Sequence, residues 1–217
     1  MRKKPQQNRS RQMTAALIEA TAKTIAERGL ADVTTNHIAE CAGVSVGSLY
    51  QYYDSKETLV DALMDRISEE LTRLVDERLA ALMDADARTV ARELLAAVFD
   101  LLGRNPAYVE LARNWQTLRS PRTILALERH MMEACRQYVM RHADEFKVGN
   151  LPAALFVVIS STLYTVVHYL SQPRPYLSRD EVVDALSDMI ASYLHSSRRM
   201  AGRSQRARPD SNGRPAA

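Results

Sequence analysis

Cysteine is nearly missing from this chain: there are two, Cys41 and Cys135, in 217 residues. They lie far apart in stretches with helical patterning, so neither a disulfide framework nor a metal-ligand spacing is present. A reducing cytoplasm is the expected compartment, and no metal or cofactor is expected. Glycine is also scarce, with seven residues, and no run alternates apolar and polar residues as a half-buried strand does. Nor is there an internal repeat. The N-terminus has no apolar stretch of the kind that drives secretion. A Gly-rich phosphate loop, a paired-acid arrangement and an oxyanion arrangement are all missing. Cys135 and His130 stand five positions apart, about 140° of helical rotation, which takes them off a shared face. Enzymatic chemistry is therefore not expected, and no catalytic residue is assigned.

What is present is an ordinary globular composition, 46% apolar and 25% charged, with charge unevenly placed. Residues 1–11 hold five basic groups (Arg2, Lys3, Lys4, Arg9, Arg11) and no acid, and residues 198–217 hold six arginines against Asp210 alone. The net charge of +3 then leaves a mildly acidic middle. Basic ends on an acidic body point to a polyanion at one end. Segment 151–170, "LPAALFVVISSTLYTVVHYL", has no Asp, Glu, Lys or Arg and is long enough to cross a bilayer. Its serines, threonines, His168, tyrosines and early proline favour a buried core or interface helix instead, and no membrane association is expected.

Periodicity and punctuation predict an all-α protein of about nine helices. The first runs over about 11–28 and stops at Gly29. Shorter helices follow Thr34 and Ser45, and a long fourth helix starts at Lys56. Further helices are expected near 88–103, 106–118, 121–145, 151–171 and 179–197. Ser178 and Glu181 form a capping box for the last. The implied organisation is a flexible basic arm (1–10), a small helical head (11–55), a larger helical domain (56–197) and a disordered basic tail (198–217).

Residues 35–52 have the form of a helix-turn-helix. Gly43 permits the turn, and Ile38, Ala39, Val44 and Leu49 lock the two helices. Val46, Gly47, Ser48, Tyr50, Gln51 and Tyr52 are left outside, all small or hydrogen-bonding and none acidic, as entry into a phosphate-lined groove requires. Gln51 suits adenine, and Val46 suits a thymine methyl. Thr34, Thr35, Ser45, Tyr50, Tyr52 and Lys56 are the candidates for phosphate and backbone contacts. Lys56 also starts a helix, where free N–H groups favour an anion.

The stretch "AERGLADVTTNHIAECAGVSVGSLYQYYDSKETLVDAL" resembles the DNA-binding domain of TetR-family transcriptional regulators. Gly29, Thr34, Ile38-Ala39, Ala42-Gly43-Val44-Ser45, Gly47, Leu49-Tyr50, Tyr52 and Ser55-Lys56-Glu57 carry the likeness, over about residues 11–66. Thr35, Ile25, Tyr53 and Cys41 depart from the usual residues, and Cys41 is expected to be a small buried replacement for alanine. The resemblance implies a two-domain homodimer paired through the helices near 151–171 and 179–197. It also implies a repressor that binds palindromic double-stranded operator DNA and is released by a small-molecule effector. Phe99, Tyr108, Trp115, Met131, Tyr138, Tyr164 and His168 are the candidates for a mostly apolar effector pocket, with Arg113, Asn114 or His168 placed to orient a carboxylate or hydroxyl.

Overall fold

The computed structural model describes residues 4–115, 118, 121–146 and 148–196. The basic residues Arg2 and Lys3 and the tail from 198 lie outside them. Among the described residues the chain is helical, without a strand: α1 (Lys4–Arg28), α2 (Thr35–Cys41), α3 (Val46–Tyr50), α4 (Lys56–Ala81), α5 (Ala87–Arg104), α6 (Pro106–Arg113), α7 (Pro121–Arg141), α8 (Leu151–Ser171) and α9 (Arg179–Ser196).

Side-chain caps mark the helix starts. Thr34, Ser45, Ser55, Asp86, Asn105 and Asn150 each accept a hydrogen bond from a first-turn backbone N–H. These satisfy donors that a helix leaves open and are worth about 1 kcal/mol each. Ser178 and Glu181 exchange reciprocal bonds at the head of α9. Helix α1 begins seven residues earlier than expected, so residues 4–10 are helical rather than a flexible arm. Nothing between Lys4 and Arg11 breaks a helix, and Pro5 falls in the first turn, where its missing N–H is harmless. Helix α6 ends earlier than expected, because the Asn114 side-chain amide turns back to donate to the Glu110 carbonyl (2.9 Å). Helix α7 also stops short, at Arg141, and the next residue, His142, bonds its ring Nε2 to the Met83 carbonyl (2.8 Å).

One core cluster joins the head to the body. Leu17 and Ile25 of α1, Ile38 of α2 and Leu49 of α3 are fully buried with Leu59 and Leu63 of α4 and Ala107 and Leu111 of α6. Each large side chain there contributes about 1.5–3 kcal/mol by leaving water. Arg66 of α4 bridges to Glu19 of α1 (2.8 Å). The head therefore does not float on a linker: α1 packs on both α4 and α6. A second cluster gathers Val75, Leu79, Tyr138, Phe146, Leu155 and Leu194, and a third holds α9 on α5 through Leu95, Phe99, Val182, Val183 and Leu186.

Helix α8 is long and apolar enough to cross a membrane by length and composition. Its Ala154, Leu155, Val158, Ile159 and Val166 are buried, while Phe156 (58% exposed), Val157 and Tyr164 face outward. The expectation of a buried helix thus holds for one side only. On α9, Met189 and Tyr193 are likewise exposed.

Candidate nucleic-acid interface

Two short helices and the start of a third build the exposed end of the head. Helix α2 ends at Cys41, and Gly43 takes a left-handed backbone (φ 68°) that redirects the chain. That conformation is strained for any residue with a Cβ. Ser45 then caps α3, accepting from Ser48 N–H (3.1 Å). With Ile38, Ala39 and Leu49 buried and Val44 half-buried, the two helices are locked as expected.

Outward from that core stand Gly47, Tyr50 (49% exposed), Gln51 and Tyr52 (37% exposed). Helix α3 is short, but Tyr52 and Tyr53 N–H groups still bond to the Leu49 carbonyl, so the turn continues. A Cβ placed on Gly47 would meet only the Ser45 hydroxyl, at 4.0 Å. The surface there is backbone, open to close approach. Thr35 and Tyr50 are 3.1 Å apart through their hydroxyls, which ties the first residue of α2 to the last of α3. Val46 is half-buried against the core, so only part of it is available to a thymine methyl. Tyr53 is also half-buried, and burial raises its phenol above the ordinary value.

Thr34 and Ser45 are exposed, and their oxygens already accept the capping bonds; that leaves the Thr34 hydroxyl proton for a phosphate, while the Ser45 hydroxyl also bonds the Ser48 hydroxyl (2.8 Å). Lys56 is the first residue of α4. The anion site expected there is partly filled by the protein itself. Ser55 accepts from Thr58 N–H (3.2 Å), and bonds from its own backbone and from Ser55 hold the Glu57 carboxyl below its ordinary range. The Lys56 ammonium, not open helix N–H groups, is what remains for a phosphate. Cys41 is exposed rather than buried, on the last turn of α2, where an alanine-sized residue meets no core. Burial pushes the Cys135 thiol up to about 11, which keeps it protonated and unreactive at neutral pH. His130 bonds instead to Asp76 (2.8 Å).

A cavity of about 350 Å³ lies in the body between α4, α5, α6, α7 and α8. Of the expected pocket residues, Tyr108, Trp115, Met131 and Tyr164 line it. Phe99 does not: it packs edge-on against Tyr169 in the α5–α9 core. Tyr138 sits in the second core cluster with its hydroxyl donating to the Ala85 carbonyl (2.6 Å). His168 lies outside the lining, stacked on Tyr164. Arg113 is ion-paired to Glu110 (3.7 Å) and is outside the lining, as is Asn114. Sequence reasoning missed the α4 wall, Met64, Ile67, Ser68 and Leu71, whose spacing is that of any core stripe, and it missed Glu128 on α7.

Residues 17–63 match the family described as bacterial regulatory proteins, tetR family. The regulator BetI of Pseudomonas aeruginosa is 36% identical over 84 residues, 39% of this chain and 43% of that protein. The likeness thus spans less than half the length of such curated relatives. Among solved structures, a TetR-family transcriptional regulator from Streptomyces coelicolor superposes with a TM-score of 0.64 at 22% identity, over 84% of this chain and 80% of that one. FadR of Bacillus halodurans, a fatty acid degradation regulator, gives 0.64 at 18% identity, over 82% and 94%. At those identities the structures speak to the fold alone. The helical head is matched in sequence and most of the chain in shape: residues 17–63 match the tetR family of bacterial regulatory proteins, and the body shares the fold of the solved structures.

Proposed function

We propose that the protein is a sequence-specific, DNA-binding transcriptional regulator that acts as a cytoplasmic homodimer and represses from a palindromic operator. The observation that carries this reading is the exposed, acid-free surface of α3, with Gly47 open at its centre and Tyr50, Gln51 and Tyr52 around it. A helix presented this way fits a major groove. Gln51 reads base edges, while Thr35, Tyr50, Tyr52 and Lys56 hold phosphates and fix the register. The exposed apolar faces of α8 and α9, with Phe156, Val157, Tyr164, Met189 and Tyr193, support a second copy as partner, and two-fold pairing sets two heads on two half-sites. The body cavity supports a small, largely apolar effector. Because α6 lines that cavity and packs on α1 of the head, an effector that favours one arrangement of α6 shifts the population of DNA-competent heads.

Tyr52→Ala and Lys56→Ala test the reading by fluorescence anisotropy on duplex DNA over a range of salt. Each is expected to weaken binding and, where the side chain holds a phosphate, to lower the salt slope by about one, with the melting temperature unchanged. Wild-type affinity in both variants refutes the assignment of this surface.

A further inference from the structure

The cavity wall carries one charge and several aromatic rings. Among the described residues, Glu128 is the sole charged side chain in the lining. It is half-buried and has no ion-pair or hydrogen-bond partner among them. Tyr108, Trp115 and Tyr164 share the lining, and the Trp115 and Tyr164 rings meet edge-on with centroids 6.1 Å apart. Two wall hydroxyls are donors to carboxylates behind the wall: Tyr108 to Glu70 (3.0 Å) and Thr123 to Asp65. The guanidinium of Arg66 does not line the cavity and is held by Glu19 and Glu70.

Resting on the reading of this cavity as the effector site, we infer that its effector is a lipophilic organic cation, a protonated amine or quaternary ammonium on an apolar body. An unpaired carboxylate on an otherwise apolar wall is costly to desolvate unless a cation arrives with the ligand. Aromatic faces add attraction for the same charge. A carboxylate or phosphate ligand meets the opposite situation: Glu128 repels it, Glu70 and Asp65 stand close behind, and the Tyr108 and Thr123 protons are engaged. The cavity volume matches a ligand with an apolar body rather than a bare ammonium ion.

Three probes of equal chain length separate the possibilities: decyltrimethylammonium, decanol and decanoate. The chain has one tryptophan, and it is Trp115 on the cavity wall, so its fluorescence reports occupancy directly. The expected order is decyltrimethylammonium tightest, decanol weaker and decanoate weakest. Glu128→Gln is expected to weaken the cation by about tenfold or more and to leave decanol unchanged. Ile67→Phe, which takes up part of the cavity and keeps Trp115 as the one tryptophan, is expected to weaken all three. Equal binding of the cation to wild type and Glu128→Gln, or decanoate binding as tightly as the cation, overturns the charge preference while the cavity remains the effector site. Silence of Trp115 toward all three probes, with no shift in melting temperature, overturns both.

Discussion

Replacing Gly47 with leucine separates folding from DNA binding at a single position. A Cβ at this position finds the Ser45 hydroxyl at 4.0 Å and nothing else, and the backbone there is ordinary helix. The fold therefore has room for a larger side chain. Leucine is a better helix former than glycine by up to about 1 kcal/mol, and in a chain of this size that raises the melting temperature by about 2–4 °C at most. DNA meets a different surface. In the proposed complex, four added carbons stand where the helix backbone approaches the groove, and α3 must lift away from it. The hydrogen bonds to base edges break first, those of Gln51 foremost, at about 1–3 kcal/mol for a bidentate pair. Two heads double this to about 2–6 kcal/mol, a loss of about 30-fold to above 10⁴-fold in affinity. Anisotropy with a specific duplex at fixed salt measures the loss, and thermal melting confirms the fold. Gly47→Ala falls between. A Gly47→Leu protein that melts like wild type and binds specific DNA within about threefold of it refutes the placement of α3 in the groove.

Two further outcomes follow from other parts of the molecule. Phe156→Asp, on the exposed side of α8, is expected to yield a folded monomer by light scattering, whereas Val166→Asp, 3% exposed in the core with Phe99 and Val183, is expected to unfold the chain. A folded dimer from Phe156→Asp contradicts the assigned pairing face. His142 gives a pH signature. The Met83 carbonyl that its ring nitrogen bonds raises its pKa above the ordinary 6.5, with Glu145 adding to this against the opposing effect of burial. A histidine that is more basic when folded adds stability in full below the unfolded value and loses it as pH rises through the folded value. The melting temperature is expected to fall as pH rises from the ordinary histidine value through the raised folded one, and His142→Phe to flatten that part of the curve; an unchanged slope in the variant refutes the role of His142.

The head was legible in the sequence because its boundaries are chemical. Thr34 and Ser45 are capping residues before short apolar patterns, and they cap α2 and α3. Gly43 stands where a left-handed turn needs it. The start of α1 was not legible, because residues 4–10 carry no apolar periodicity and contain nothing that forbids a helix. In the body, periodicity identified faces but not what lay opposite them. Tyr108 and Trp115 face a cavity, whereas Tyr138 and Phe99 face core, and the local patterns around them are alike. Only the distant packing of α4, α7 and α8 decides between the two. Glu128 carried the missed signal: an acid between Leu127 and Met131, close to the apolar side of α7. Cys41 shows the opposite failure, since a position that usually holds alanine reads as buried and is exposed.

In the proposed function α3 reads base edges in two half-sites related by a two-fold axis. Selection from random duplex DNA by the full chain, followed by sequencing of the bound pool, tests it most directly. An enriched palindrome that disappears from the pool selected by Gly47→Leu is expected. Folded, dimeric protein that enriches no sequence, or that enriches the same sequence with Gly47→Leu, contradicts it.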